Sequence, residues 1–356
     1  MVSPINRVNQ SRKWLNTVAT IDIDRKIKNI ESQMNRIFCT AINMYDSFDS
    51  GSCNLIKADS DQIWNLIAKD AEIQRAATGF IFTEGPIWHP REQHLLFSDV
   101  PANICRKLTL DGQVCEARNP SQKSNGMTYD KNLNLLACEH LSSSLVLIEP
   151  DGSRKTLASA YEGKELNSPN DVCLRLDGSI YFTDPAYGRM PGFGEERAQD
   201  LSFQGVFRLT PDHDLQLAVE PDAYETPNGL CFSPDESLLY INDSIRAQID
   251  VYNVNSDGSL SGRKCFAKNI GNGQLEDGIP DGMKCDELGN IWVTGPGGIW
   301  IFDPEGKRLG VIEVPENVGN LHWGGADWRT LFIAASTSIY TLRTKVLPHS
   351  EAFMNA

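Results

Sequence analysis

The sequence predicts an all-β protein, a six-bladed β-propeller preceded by an N-terminal extension. Three observations predict it. A hairpin-like unit recurs six times, in Glu84–Asp99, Asn125–Glu139, Asn170–Asp184, Asn228–Asp243, Asp281–Gly295 and Asn320–Ala335. The closing residues of successive units are 40, 45, 59, 52 and 40 positions apart. A second hairpin follows each of the first five units. One hairpin cannot bury its own apolar face, so repeats of this kind must stack on their neighbours. Four-stranded blades around a central channel use about this many residues each.

The fourth unit shows the local reasons. Pro227 to Ser244 reads PNGLCFSPDESLLYINDS. Asn228 opens it beside Gly229, a strand follows, and Ser233-Pro234-Asp235-Glu236 makes a turn. A second strand runs over Leu238–Ile241, and Asp243 closes the unit. Serine, proline and aspartate between two β-rich runs signal a hairpin. The intervening stretches ICRKLTLDGQVCEAR, LVLIEPDGSRKTLA, GVFRLTPDHDLQLAVE, IDVYNVNSDGSLSGRKCFA and GIWIFDPEGKRLGVIEV have the same grammar. Each is a β-prone strand, an acid-Gly or Pro-Asp turn, and another strand. Each blade is therefore an inner hairpin followed by an outer one.

The chain ends of the repeat are expected to meet. Ser338–Val346 is the last strand lacking a partner, and a strand near Ile73–Phe82 is expected to complete the final blade. Residues 71–356 form the propeller in this scheme, and residues 1–70 the extension, partly helical or irregular. Asp59-Ser60-Asp61 is expected to cap a short helix over Ile63–Asp70. Ile42, Met44, Tyr45 and Phe48 give the extension apolar groups for docking, with contact between copies in a homo-oligomer as a candidate role. Two insertions break the spacing. Ala186–Ser202 is rich in Gly and Pro and is expected to lie over one face, where loops cover sites. Asn269–Pro280 leads directly into Asp281.

Composition narrows the function. The 356 residues include 40% apolar and 8% aromatic ones, enough for one large core. The formal net charge of −14 argues against nucleic acid or an anionic membrane as partner. No apolar run approaches the ~20 residues of a membrane span. The first residues, MVSPINRVNQSRKWLNTV, lack the apolar centre of a secretory signal. A cytoplasmic location is expected, with a periplasmic one left open. The nine cysteines form no CxxC pair. They are expected to be buried thiols, with Cys173, Cys231 and Cys285 at equivalent places pointing into blade cores.

The first residue of each unit carries the chemistry. Glu84, Asn125, Asn170, Asn228, Asp281 and Asn320 are all carboxylates or amides. Equivalent positions of successive blades sit on a ring around one axis, so six oxygen-bearing side chains converge at one mouth of the tunnel. Asn or Asp before Gly can also simply make a turn, but six concordant positions favour the ring. Glu84, Asn170, Asn228 and Asp281 are the best ligands for one divalent cation. Two carboxylates and two amide carbonyls suit calcium, with magnesium, manganese and zinc as alternatives. Such an ion polarises a carbonyl and stabilises an oxyanion. Asp281 and Asp171 are the candidate proton acceptors. Asn125, His140, Asn320 and His322 are candidates for contact with substrate. Asp243 either bonds nearby backbone or reaches a ring ligand. No GxSxG elbow supports a serine nucleophile.

These motifs resemble a known family. Phe82-Thr83-Glu84-Gly85-Pro86, Ser168-Pro169-Asn170-Asp171-Val172, Thr226-Pro227-Asn228-Gly229-Leu230 and Pro280-Asp281-Gly282-Met283 are similar, in order and at blade spacing, to motifs of the gluconolactonase family. That family is related to senescence marker protein (regucalcin) and to the calcium-dependent lactonases. The resemblance spans roughly Gly79–Thr344 and leaves residues 1–70 unaddressed. It implies a six-bladed propeller, one catalytic divalent metal and hydrolysis of a sugar lactone such as gluconolactone to gluconate. By position, Glu84, Asn170, Asn228 and Asp281 match the family's metal ligands. Asp171 matches a residue proposed as general base in the calcium-dependent lactonases. Two other classes stay open at this point, a metal-dependent phosphotriesterase-type hydrolase and a non-enzymatic binding platform.

Overall fold

The structure, a computed structural model, describes residues 55–356. The expectations for Ile42, Met44, Tyr45, Phe48, Cys39 and Cys53 lie outside the described residues.

Six antiparallel sheets form the blades, each running outward from an inner strand. The inner strands are Thr83–His89, Ser124–Tyr129, Val172–Leu174, Pro227–Phe232, Met283–Cys285 and Val318–Gly324. Each touches the next, and the sixth touches the first, so they close a circle. This is the six-bladed propeller that the repeat predicts. The first, second, third and fourth blades each hold four consecutive strands. The last blade takes Val318–Gly324, Thr330–Ala335 and Ser338–Arg343, and its outer strand is Gln74–Thr78. Gln74 pairs with Thr341 and Thr78 with Ser338, so an early strand closes the ring against a late one.

Interfaces between blades carry the core. Alternation along each strand sends one set of side chains to each neighbouring blade, because successive residues point to opposite faces. Trp292 of the fifth blade meets Trp323 of the sixth edge to face, with centroids 5.2 Å apart. Trp88 of the first blade stacks on Phe332 of the sixth. Burying such a ring contributes about 1.5–3 kcal/mol before packing gains.

The segment ahead of the propeller is built into it. Ile56–Ala58 adds a fifth strand to the fifth blade, pairing with Gly310–Ile312. The helix is shorter than expected, spanning Ile63–Leu66, with Gln62 at its N-cap and no side-chain cap. Ser60 Oγ accepts the Gln62 amide, at 3.3 Å, and no amide of the helix itself. Ile67 then bridges to Thr344, ending the helix in extended backbone. Ile63, Leu66 and Ile67 are buried in the cluster around Trp292 and Trp323. Packing on the sheet therefore decides this segment, and the four-residue helix is a consequence.

Among the described residues the cysteines are free thiols. Cys231 and Cys285 are buried as expected, whereas Cys173 is half-buried. Cys115 and Cys265 are exposed, which corrects the expectation of buried thiols throughout. Both lie on outermost strands, Val114–Arg118 and Leu260–Lys268, whose outer faces meet water.

Candidate functional site

The six opening residues stand around the mouth of the tunnel because of two local devices. The first is close backbone approach between inner strands. Gly126 donates to the Asn170 carbonyl at 2.7 Å, Gly229 to the Asp281 carbonyl at 3.1 Å, and Gly282 to the Gly319 carbonyl at 2.8 Å. A Cβ on Gly229 would lie 2.2 Å from the Asp281 carbonyl oxygen, and one on Gly282 2.2 Å from Asn320 Oδ1. These glycines are needed for contact between blades, not for turn geometry; only Gly85 of the set has a positive φ, 49°.

The second device is the aspartate that closes the first, third and fourth units. Asp99 accepts the amides of Ile81 and Phe82, just ahead of Glu84. Asp184 accepts those of Asn167 and Ser168, just ahead of Asn170. Asp243 accepts those of Glu225 and Thr226, just ahead of Asn228, and those of Ile245 and Arg246. Each of these three aspartates thus tethers the backbone just ahead of its own unit's opening residue. Asp243 has the backbone role of the two considered for it.

The amides of the ring are joined hand to hand. Asn125 Nδ2 donates to Asn170 Oδ1 at 2.8 Å, Asn170 Nδ2 to Asn228 Oδ1 at 2.6 Å, and Asn228 Nδ2 to Ser244 Oγ at 3.0 Å. Ser244 Oγ donates to the Pro280 carbonyl at 2.7 Å, beside Asp281. His140 adjoins this chain. Its Nδ1 lies 2.9 Å from the Phe193 carbonyl, which can only accept, so Nδ1 carries the proton. Nε2 then presents a lone pair that the Asn125 Nδ2 amide approaches at 3.4 Å, beside Asn170 Oδ1 at 3.1 Å. Burial pushes the imidazole down to about 4, so it stays neutral.

The carboxylates are much less satisfied. Glu84 is 3% exposed, and its Oε2 accepts only the Gly85 amide, at 3.0 Å. Burial, reinforced by the Asp171 charge, pushes it up to about 7, against help from the Asn320 amide. Asp281 is half-buried, and desolvation and the Glu84 charge raise it well above its usual range. Asp171 Oδ1 accepts the Val172 amide at 2.9 Å. Its Oδ2 is buried without a hydrogen-bond partner, 4.0 Å from Lys284 Nζ. Burial raises Asp171 too, and Lys284 opposes the shift. Three acids therefore crowd one mouth, with Lys284 as the cation paired to Asp171.

Below the ring the tunnel holds a small cavity. Lys284, Cys231, His322, His349 and Glu351 line it. His322 Nε2 meets Glu351 Oε1 at 3.2 Å, and its Nδ1 faces the Trp323 carbonyl. Both nitrogens are thus engaged two residues along the strand from Asn320. His322 stands apart from the amide chain of the mouth, and Glu351 supports it there. Asn320, in contrast, stands at the mouth beside Glu84.

The insertion Ala186–Ser202 does lie over this mouth. His140 holds the Phe193 carbonyl, Lys123 Nζ holds the Gly192 carbonyl at 2.5 Å, and Phe193 packs edge to face on Phe82.

Comparison with known proteins decides what family this ring belongs to. The model of the SMP-30/Gluconolactonase/LRE-like region matches residues 82–337. The chain belongs to that family. A gluconolactonase of Zymomonas mobilis is 36% identical over 294 residues, covering 77% of this chain and 81% of the relative. Bovine regucalcin is 26% identical over 266 residues, covering 71% of this chain and 82% of the relative. Among solved structures, a gluconolactonase of Xanthomonas campestris superposes with a TM-score of 0.75 at 30% identity, covering 82% of this chain and 96% of that one. The family match spans all six ring positions, Glu84 to Asn320.

Sequence reasoning missed Ser244, Lys284, Glu351 and Tyr187. Ser244 directly follows Asp243, the closing acid of the fourth unit, and could have been found by extending that unit by one residue. The other three leave no trace in the repeat, because neighbouring blades and loops bring them in.

Proposed function

We propose that this chain is a divalent-metal-dependent lactonase that opens a sugar lactone, with D-glucono-1,5-lactone to gluconate as the reference reaction. The convergence of Glu84, Asn170, Asn228 and Asp281 at one mouth carries this reading, together with membership of the gluconolactonase family. The donor set fits a hard cation. Two carboxylates would contribute two negative charges, and each amide oxygen keeps a lone pair beyond its hydrogen bond. Beyond burial, the Asp171 charge raises the proton affinity of Glu84, and the Glu84 and Asp171 charges raise that of Asp281; a divalent ion would supply the missing counter-charge. Calcium suits four oxygen donors of this kind best. When bound, the ion would polarise the lactone carbonyl as a Lewis acid.

The chain's own groups do the rest. Asp171 has a free, buried Oδ2 and takes the proton of the attacking water. Lys284, 4.0 Å away, opposes the effect of burial and favours the ionised carboxylate. The His140 lone pair and the Asn125 amide accept and orient sugar hydroxyls. The insertion narrows the mouth and keeps bulk water off the reacting carbonyl. The experiment is a lactone panel assayed by acid release with and without chelator, at matched circular dichroism. Opening of sugar lactones that stops on chelation and returns with calcium is expected. Activity unaffected by chelation would overturn the metal, and inactivity on every lactone would overturn the lactonase.

A further inference from the structure

One polar group at the mouth has no part in the steps above. Tyr187 opens a short 3₁₀ turn, Tyr187–Arg189, in the insertion. The turn is clamped from several sides. Gly188 donates to Ser168 Oγ at 2.8 Å, and a Cβ there would lie 2.7 Å from His140 Cβ. Arg189, nearly buried, donates to the Asn167 carbonyl at 2.7 Å and to Glu165 at 2.9 Å. The turn is thus fixed to the same backbone, 165–168, that delivers Asn170. The Tyr187 hydroxyl is buried and has no hydrogen-bond partner. Its polar surroundings are Asn228, Ser244 and Asp281. Burial and the Asp281 charge push the phenol far above its usual value, so it keeps its proton. The result is a firmly held O–H donor that no hydrogen bond of good geometry engages, beside Asn228 and Asp281, two of the four candidate metal ligands.

We propose that Tyr187 is a catalytic residue whose hydroxyl donates a hydrogen bond to the lactone carbonyl oxygen in the transition state. The assignment rests on the lactonase reading. Water oxygen bonds to the carbonyl carbon, the C=O π pair moves onto the carbonyl oxygen, and the water proton passes to Asp171. The pair then returns, the ring C–O bond breaks, and the ring oxygen leaves with the proton that Asp171 held. Tyr187 keeps its own proton and stabilises the charge on the carbonyl oxygen. Its neighbours favour that oxygen over the sugar hydroxyls. Asn228 and Asp281 border the cation site where the carbonyl binds, whereas His140 and Asn125 face the substrate from the second blade. A preorganised donor of this kind acts mainly on kcat.

The test is Tyr187→Phe, which deletes one oxygen and keeps the ring. Kinetics are run on gluconolactone and on an unsubstituted six-membered lactone, with spontaneous opening subtracted. Calcium affinity is read by calorimetry and stability by thermal melting. A fall in kcat of roughly 10²-fold on both lactones is expected, with KM within about 3-fold, unchanged calcium affinity and a melting temperature no lower than wild type. An unchanged kcat, a loss confined to gluconolactone, weakened calcium binding or a lowered melting temperature would each overturn the assignment. Wild-type protein that opens neither lactone would overturn the lactonase reading and the proposal with it. An active wild type beside an equally active variant removes Tyr187 alone.

Discussion

Two sets of acids in the inner hairpins have opposite fates. Asp99, Glu139, Asp184 and Asp243 close the units, and each is fully buried. Every one is surrounded by donors: Glu139 accepts from Arg118, Arg154 and Ser142, and Asp243 from four backbone amides. Glu84, Asp171 and Asp281 at the mouth share few donors and repel one another. The same residue type builds the scaffold where the protein supplies donors, and a site where it withholds them. Unsatisfied buried carboxylates are costly, so their convergence marks a place where something else completes them.

The sharpest way to break that comparison is to neutralise one member of each set. Asp281→Asn removes a ligand charge with almost no change in volume, and a loss of lactonase activity of about 10³-fold or more is expected. In chelator the variant should melt at or above wild type, because it relieves the repulsion with Glu84. A variant that melts well below wild type in chelator would place Asp281 with the scaffold acids.

Asp171→Asn sharpens the division within the site. Calcium content by mass spectrometry should stay at wild-type level while turnover falls roughly 10²–10⁴-fold, the usual range for a positioned proton acceptor. Full metal with near-normal turnover would move the role to Asp281.

Asp243→Asn is the scaffold counterpart. It strips the charge from a carboxylate holding four amides, so a loss of about 2 kcal/mol of stability is expected in urea unfolding. The loss should appear with and without calcium. A variant as stable as wild type but unable to bind calcium would erase the distinction.

The smallest effect is a slope with pH. Glu84 is held near 7 in the fold against its ordinary 4.5. Between those values the folded chain binds more protons than the unfolded one, so metal-free stability should fall as pH rises from about 5 to 7. The limit is about 1.4 kcal/mol per pH unit for one proton. Calcium competes with that proton, and adding it should flatten the Glu84 part of the slope. Asp184, also pushed up to about 7 by burial, should keep its part in both conditions. A slope identical with and without calcium would mean that Glu84 does not meet the ion.

Much of this was legible in the chain. The repeat of polar residue, strand, turn, strand and acid placed all six ring residues at the start of inner strands, or directly before them, and foretold closure by the strand Gln74–Thr78. Such facts are local: a turn residue, a β-branched run and a fixed spacing act within one blade and repeat around the circle. Other features needed neighbours in space. The helix over Ile63–Leu66 stops early because Ile67 forms an antiparallel bridge 277 positions away with Thr344. His322 was expected at the substrate and instead engages Glu351.

The sequence by itself determined the number of blades, the order of their strands and the residue types at the tunnel mouth, because hydrophobic alternation and turn chemistry are short-range. Tertiary structure alone decided which acids were satisfied and which were left crowded. It also decided that Lys284 pairs with Asp171 and that Tyr187 reaches Asn228 and Asp281. Burial and electrostatics depend on what six separate blades bring within a few ångströms of one axis, and no stretch of chain carries that information.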